Sequence, residues 1–228
     1  MTRPLLRLLI ASTLWLAASS RAEHVILTGG PALRQWENLR VPADRHDHWW
    51  ANFVRASTLR IEEIHRAYGE GAKIIWLVYR PSYRTRGAED KTPYTNWITD
   101  LAKKNQAKLI WVTSGDSLIH AMNSRPANAI TTFDFFGHSN RYAFMLDYSN
   151  DIMAVSTAWL HERDLPRIHS SVFAPNAMCK SWGCHTAESM SAAWRLALGI
   201  PLEGAVGATN YTIVGQGQLP SVSGVWAR

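Results

Sequence analysis

Residues 129–139 read AITTFDFFGHS, and this stretch decides how the rest of the chain is interpreted. It is an apolar run rich in aromatic and β-branched side chains, and it ends in Gly137, His138 and Ser139. A run of this kind predicts a strand that is buried on both faces of a sheet. Reactive groups in parallel sheets collect at the carboxyl ends of the strands. The stretch therefore predicts a buried strand that carries a histidine and a serine to that edge.

A later stretch follows the same pattern. Residues 176–186 read NAMCKSWGCHT, so a second predicted strand ends in Gly183 and Cys184. A helical pattern, AESMSAAWRLALG, begins directly after it. If the two strands are neighbours in a parallel sheet, His138 and Cys184 meet at one edge although they lie far apart in the chain.

The remaining chain alternates between short apolar runs and helical patterns, which predicts a parallel sheet covered by helices on both faces. We therefore expect an α/β fold, a three-layer sandwich around a mainly parallel sheet of about six strands. A polar loop is predicted at residues 82–93, where no hydrophobic period is visible. The predicted strands lie in residues 24–31, 72–81, 108–116, 129–139, 176–186 and 204–212, and the predicted helices in residues 47–71, 94–107, 117–124 and 187–199.

The N-terminus has the layout of an export signal. Arg3 and Arg7 precede an apolar run that ends in small residues, which predicts cleavage before Glu23. Removal of residues 1–22 would leave residues 23–228, a length that fits a single domain. No later stretch approaches the roughly 20 apolar residues of a membrane helix. We expect a secreted or periplasmic protein with no stable membrane insertion.

Charge and motif content limit the expected partners. Loss of the signal lowers the number of basic residues from 24 to 21, against 18 acidic ones, and no basic run with interleaved aromatic side chains is present. This balance predicts no nucleic-acid partner. His46 and His48 are possible ligands, but the spacings Cys-x-x-Cys and His-Glu-x-x-His are absent, so we expect neither a metal nor another cofactor.

Residues 137–141, GHSNR, allow a serine-based interpretation. In a nucleophile elbow of the form G-x-S-x-G, Ser139 would be the nucleophile of a serine hydrolase. The second glycine is replaced by Arg141, whose side chain would crowd the following helix against the strand. The segment after it, RYAFMLDYSND, is also a poor helix. Both departures weigh against the serine interpretation.

The other interpretation makes Cys184 the nucleophile and His138 its base. A thiol needs a neighbouring imidazole to become a thiolate near neutral pH. The helix predicted directly after Cys184 would also turn its positive N-terminal end toward the sulfur. The two strand ends therefore favour cysteine-based chemistry.

At this point the chain resembles a known superfamily. The motifs FFGHS and WGCHT are similar to the paired motifs of the caspase, metacaspase and hemoglobinase type of cysteine peptidase, whose caspase members place the histidine about 50 residues before the cysteine. The resemblance implies a caspase-like domain over about residues 24–215 that hydrolyses peptide or protein substrates. By this resemblance, Cys184 attacks the scissile carbonyl, and His138 protonates the leaving amine and later activates water.

The resemblance also implies a substrate-binding set, in which the amides of Cys184 and Ser139 hold the oxyanion beside Gly183. Two positions depart from the superfamily pattern. Ser139 stands where glycine is usual, and Trp182 stands where metacaspase-like members carry an aspartate that selects basic side chains. Neither a basic preference nor the aspartate preference of true caspases is therefore predicted. Since inactive members share this fold, a non-catalytic protein that binds peptides through the same cleft is the alternative.

The remaining candidates are one cysteine and three carboxylates. A disulfide between Cys179 and Cys184 requires a turn between them, because residues five apart on one strand are about 16 Å apart. We therefore expect Cys179 to be a small buried hydrophobe. Asp134 is expected to have a hydrogen-bonded structural role, and Asp147 to lie within reach of substrate. Glu188 is a further candidate for orienting the histidine or lining a specificity pocket.

Overall fold

The computed structural model describes residues 22–39, 41–42, 45, 49–148 and 156–228. The predicted signal peptide lies outside these residues except for Ala22, and so do His46 and His48. None of the helices in the described ranges has the length and hydropathy needed to cross a membrane.

The described part of the chain forms twelve strands, seven of which build a central sheet. The strands are β1 Glu23–Thr28, β2 Lys73–Tyr79, β3 Ala107–Val112, β4 Ile130–Phe136, β5 His138–Ser139, β6 Ala143–Met145, β7 Trp159–His161, β8 Phe173–Ser181, β9 Leu202–Val206, β10 Thr209–Asn210, β11 Ser221–Val222 and β12 Val225–Ala227. The order in the central sheet is β12-β9-β8-β4-β1-β2-β3. All neighbours in it pair in parallel except β12, which is antiparallel to β9.

The predicted α/β fold with a mainly parallel sheet is confirmed. The six parallel strands are the predicted ones, whereas the antiparallel edge strand β12 was not predicted. Two small sheets accompany the central one, with the orders β5-β6-β7 and β10-β11. The α-helices of the described residues are α1 Arg34–Leu39, α2 Asn52–Tyr68, α3 Arg80–Glu89, α4 Tyr94–Lys104, α5 Gly115–Asn123 and α6 Met190–Leu198.

Helices cover both faces of the central sheet. On one face, Leu118 of α5 and Trp194 of α6 belong to the same buried core as Val25 of β1. On the other face, Ile61 of α2 shares a core with Ile26 of β1. Consecutive residues of a strand point to opposite faces, so β1 contributes to both cores. This arrangement of helix, sheet and helix is compatible with the predicted three-layer sandwich.

The polar loop predicted at residues 82–93 is wrong for most of its length, because α3 occupies Arg80–Glu89. Pro81 lies in the first turn of this helix, where the missing amide hydrogen would have had no intrahelical acceptor. Arg86 is fully buried, and its Nε donates to Asp90 Oδ2 at 3.0 Å. Two of the charged residues in the predicted loop, Arg86 and Asp90, therefore pair with each other.

The two motif strands end earlier than predicted. β4 ends at Phe136, and after one glycine the chain enters β5 at His138, which pairs with β6 instead of the central sheet. β8 ends at Ser181, so Gly183 and Cys184 lie in the turn beyond it. In both cases the glycine marks the point where the chain leaves the central sheet.

Candidate functional site

Three neighbouring strands deliver the candidate site at their carboxyl ends. β4 leads to His138, β8 leads to Cys184 and β9 leads to Thr209. All three residues line one cleft of about 770 Å³, together with residues from the start of α2. The structure thus brings together the histidine and the cysteine that the sequence pattern selected, and it adds a third residue from the next strand.

The sulfur of Cys184 is held by Thr209. The backbone amide of Thr209 donates to Sγ at 3.2 Å, and the Thr209 hydroxyl lies 3.3 Å from the same sulfur. A donor in this position stabilises negative charge on the sulfur. The sequence predicted that the N-terminus of the following helix would supply this donor, but α6 begins only at Met190, six residues after Cys184. The amide of Met190 donates to the carbonyl of Arg141 at 2.8 Å. The hydrogen-bond donor to the Cys184 sulfur is therefore the Thr209 amide of β10, and not the N-terminus of a helix.

The imidazole of His138 is held between two aromatic rings. The ring of Phe53 meets it edge-on with the centroids 5.0 Å apart, and the ring of Tyr148 stacks on it at 4.3 Å. These contacts restrict the orientation of the imidazole. A fixed orientation toward the cleft is what a general base requires, since proton transfer depends on geometry before it depends on acidity.

Ser139 and Gly183 join the two strand ends. The Ser139 hydroxyl donates to the carbonyl oxygen of Cys184 at 2.8 Å. A Cβ atom at Gly183 would lie only 2.2 Å from the Ser139 oxygen, so this close approach requires glycine. Ser139 is one of the residues that line the cleft, whereas Gly183 is not. Gly183 therefore acts by setting the spacing between the strand ends.

The amide of Cys184 meets the main condition for the predicted oxyanion site. Within the described residues it donates to no backbone or side-chain acceptor. An oxyanion site needs donors that are already oriented and not used by the fold. The second predicted donor, the amide of Ser139, belongs to β5, whose pairing with β6 fixes its position next to the cleft.

Asp147 is placed away from the cleft. Its Oδ1 accepts from the amides of Thr157 and Ala158 at 2.7 and 3.0 Å, and its Oδ2 accepts from the Thr157 hydroxyl at 2.6 Å. The carboxylate is 4 % exposed and borders a separate small cavity. Burial, with the nearby Asp147 charge, raises the pKa of Tyr79 to about 12. The expectation of substrate contact is corrected: Asp147 binds Thr157 and Ala158 instead.

Trp182 and Asp134 form a buried structural pair. Trp182 Nε1 donates to Asp134 Oδ1 at 2.9 Å, and Arg60 Nε donates to Asp134 Oδ2 at 3.0 Å. Burial raises the pKa of Asp134, while the Arg60 charge opposes that shift. The structural role expected for Asp134 is confirmed. The indole of Trp182 also stacks on Phe136 in the core. Because an indole is uncharged, Trp182 cannot replace the aspartate that selects basic substrate side chains.

Both cysteines are free thiols. Cys179 is 5 % exposed, and burial raises the pKa of its thiol. It is a small buried hydrophobe, as expected. In the described ranges no group of three histidine, cysteine, aspartate or glutamate side chains is arranged to hold a metal ion.

The structure does not have the features of a serine nucleophile elbow. The hydroxyl of Ser139 donates to a backbone carbonyl. After the turn the chain forms the strand β6, whereas the elbow requires a helix there. The geometry therefore favours Cys184 over Ser139 as the reactive residue.

Sequence reasoning missed three residues that shape the cleft, namely Thr209, Phe53 and Tyr148. Gly207 comes directly after the end of β9, and Thr209 follows two residues later. An apolar run followed by glycine is the same pattern that selected the other two strand ends, so the signal was present. It was overlooked because threonine is not a usual nucleophile or base. Phe53 and Tyr148 carried no signal, since their contacts with the histidine depend on tertiary packing.

The fold and the site together define an α/β protein with a cysteine, a histidine and a backbone donor at the carboxyl edge of a mostly parallel sheet. Compared with models of known protein families, with curated proteins and with solved structures, the chain matches none.

Proposed function

We propose that this chain is a cysteine peptidase of caspase-like architecture that uses Cys184 as nucleophile and His138 as base and acid. The observation that carries the proposal is the convergence of these two side chains and the Thr209 amide in one cleft. Cysteine-based acyl transfer needs a nucleophile, a donor that stabilises its thiolate, and a proton carrier. The layout of residues 1–22 supports export, so the enzyme would act on peptides outside the cytoplasm.

The residues have distinct roles in this mechanism. The sulfur of Cys184 attacks the carbonyl carbon of the peptide, and the thiol proton passes to His138. The amide of Cys184 donates to the oxyanion that forms. His138 then gives its proton to the leaving amine as the carbon–nitrogen bond breaks, which leaves a thioester. A water molecule, deprotonated by His138, hydrolyses the thioester and restores the thiol.

The experiment is cleavage of a mixed peptide library by residues 23–228, with each product identified by mass spectrometry. Cys184→Ala and His138→Ala should each lower cleavage on the order of a thousandfold or more, because nucleophile and base act as a unit. Cys179→Ala is the matched control, since it removes the other thiol, which lies in the core. That control should cleave like the wild type.

The alternatives give different results in the same assay. Cleavage that survives in Cys184→Ala and is accompanied by fluorophosphonate labelling of Ser139 would identify a serine hydrolase. A folded chain that cleaves no peptide and reacts selectively with neither iodoacetamide nor a fluorophosphonate would be the non-catalytic binding protein. Either result overturns the proposal.

A further inference from the structure

The turn between β9 and β10 carries the amide that faces the sulfur of Cys184. The turn passes through Gly207, whose φ of +90° lies in a region that strongly favours glycine, and reaches Thr209 two residues later. One side of the turn is tied to the C-terminal segment. There, Ala208 donates its amide to Ser223 Oγ at 3.0 Å and accepts from the Ser223 amide at 2.8 Å.

The other side of the turn is held by Glu188 and His185. The amide of Gly207 donates to Glu188 Oε1 at 3.1 Å, and the carbonyl of Gly207 accepts from the amide of His185 at 2.8 Å. Glu188 Oε1 is also 2.6 Å from His185 Nδ1. The hydrogen bond with His185, followed by that with Gly207, holds the pKa of Glu188 below its usual range. The two residues thus bind the two peptide groups on either side of the Gly207 Cα atom.

The backbone of His185 indicates that this arrangement is maintained against strain. His185 directly follows Cys184 and has a φ of +61°, which residues with a side chain rarely adopt. Such a conformation persists only where surrounding contacts hold it. Glu188 Oε2 also lies 3.6 Å from Nη2 of Arg141, which belongs to the loop that follows the histidine strand.

We infer that Glu188 and His185 are positioning residues that hold the Thr209 amide on the sulfur of Cys184. This inference rests on the proposed function, because it concerns the same thiol. Neither residue lines the cleft, so they act through the turn and not on the substrate. The role differs from the one expected for Glu188 from the sequence, which was to orient His138 or to line a specificity pocket.

The test is the pH profile of alkylation of Cys184 by iodoacetamide, measured by mass spectrometry on the folded chain. Glu188→Ala removes the acceptor of the Gly207 amide. It should slow alkylation near neutral pH by about fivefold and move the profile toward higher pH, as expected for the weakening of one hydrogen bond to a thiolate. Glu188→Gln keeps an acceptor oxygen and should recover most of the rate. The titratable and charged side chains that share the cleft with Cys184 in the described residues are unchanged in both variants: His138, Tyr148, Tyr211, Arg45 and Arg55.

Glu162→Gln is the matched control. Glu162 also accepts a hydrogen bond next to α6, from the Ser189 hydroxyl at 2.7 Å, but it has no bond to the turn at Gly207. Its profile should equal that of the wild type. A wild-type profile in Glu188→Ala, or a Glu188→Gln variant that behaves like Glu188→Ala, overturns the inference.

Cys179 reports whether each variant is folded, since it is buried in the core. If Cys179 becomes reactive in Glu188→Ala, that variant is not folded, and His185→Ala is tested instead. The pH profile of Cys184 alkylation in His185→Ala should move toward higher pH by less than is expected for Glu188→Ala. An unchanged profile there overturns the inference. Alkylation requires no peptide cleavage, so a chain that shows the displacement but cleaves no peptide keeps this inference and loses the proposed function.

Discussion

The interior of the sheet and its carboxyl edge each hold a cysteine and a histidine, and the two pairs have opposite surroundings. Inside, burial raises the pKa of Cys179 and lowers that of His24 from 6.5 to about 4, so both are held in their neutral forms. At the edge, Cys184 faces an amide donor and His138 lies between two aromatic rings. The same residue types are thus buried in the core or line the cleft according to their position on the sheet.

The largest expected difference between the two regions is in thiol reactivity. In the folded chain, iodoacetamide should label Cys184 on the order of a thousandfold faster than Cys179. Cys179 is buried, and it reacts only when the core opens locally. Mass spectrometry of the two peptides gives the ratio directly. In concentrated denaturant the two rates should become similar. Equal, slow labelling of both thiols in the native protein would contradict the comparison and the peptidase proposal together.

The close approach of Gly183 to Ser139 at the carboxyl edge of the sheet can be tested by substitution. A Cβ atom there would lie 2.2 Å from the Ser139 oxygen, so Gly183→Ala should lower the free energy of unfolding by about 3 kcal/mol. Urea denaturation measures the change. Gly71→Ala is the control, since a Cβ at that position meets nothing within 4 Å and φ is not positive. Adding Ser139→Gly should restore much of the stability. A Gly183→Ala variant as stable as the wild type would show that the strand ends need no such close approach.

Local sequence patterns were sufficient for the six parallel strands of the central sheet and for the histidine and the cysteine that line the cleft. An apolar run that ends in glycine is a local signal, and both FFGHS and WGCHT have it. The order of the strands is not local. That β9 lies next to β8, which places Thr209 beside Cys184, follows from the whole sheet. The sequence therefore predicted His138 and Cys184 as cleft residues but not Thr209.

The errors have a similar physical origin. Asp147 was expected near the substrate because it follows an apolar segment, but its acceptors are used by residues about ten positions further along, including Thr157. The sequence of the segment that forms most of α3 predicts a loop because it is polar and shows no hydrophobic period. The stability of this helix depends on the burial of Arg86, which pairs with Asp90. A hydrophobic period in the sequence cannot predict such a pairing of buried charges.

The interior histidine gives the smallest expected effect. His24 is neutral in the folded chain down to about pH 4, mainly because it is buried and secondarily because of the positive charges of Arg60 and His65. In the unfolded chain it binds a proton below about pH 6.5. Acid therefore favours the unfolded state: this contribution to stability is complete above pH 6.5 and is lost as the pH falls toward 4.

Between pH 7 and pH 4, the wild type should therefore lose about 2 kcal/mol more folding free energy than His24→Asn. Asparagine can still bond to the Thr132 hydroxyl, which lies 3.0 Å from His24 Nδ1, but it cannot take up a proton. Urea denaturation at a series of pH values gives both curves, and the carboxylates common to the two chains cancel in their difference. Parallel curves would mean that His24 is protonated at the same pH in the folded and unfolded chains. The contrast between interior and edge would then hold for the cysteines alone, because burial in this sheet would not suppress the charge of an imidazole.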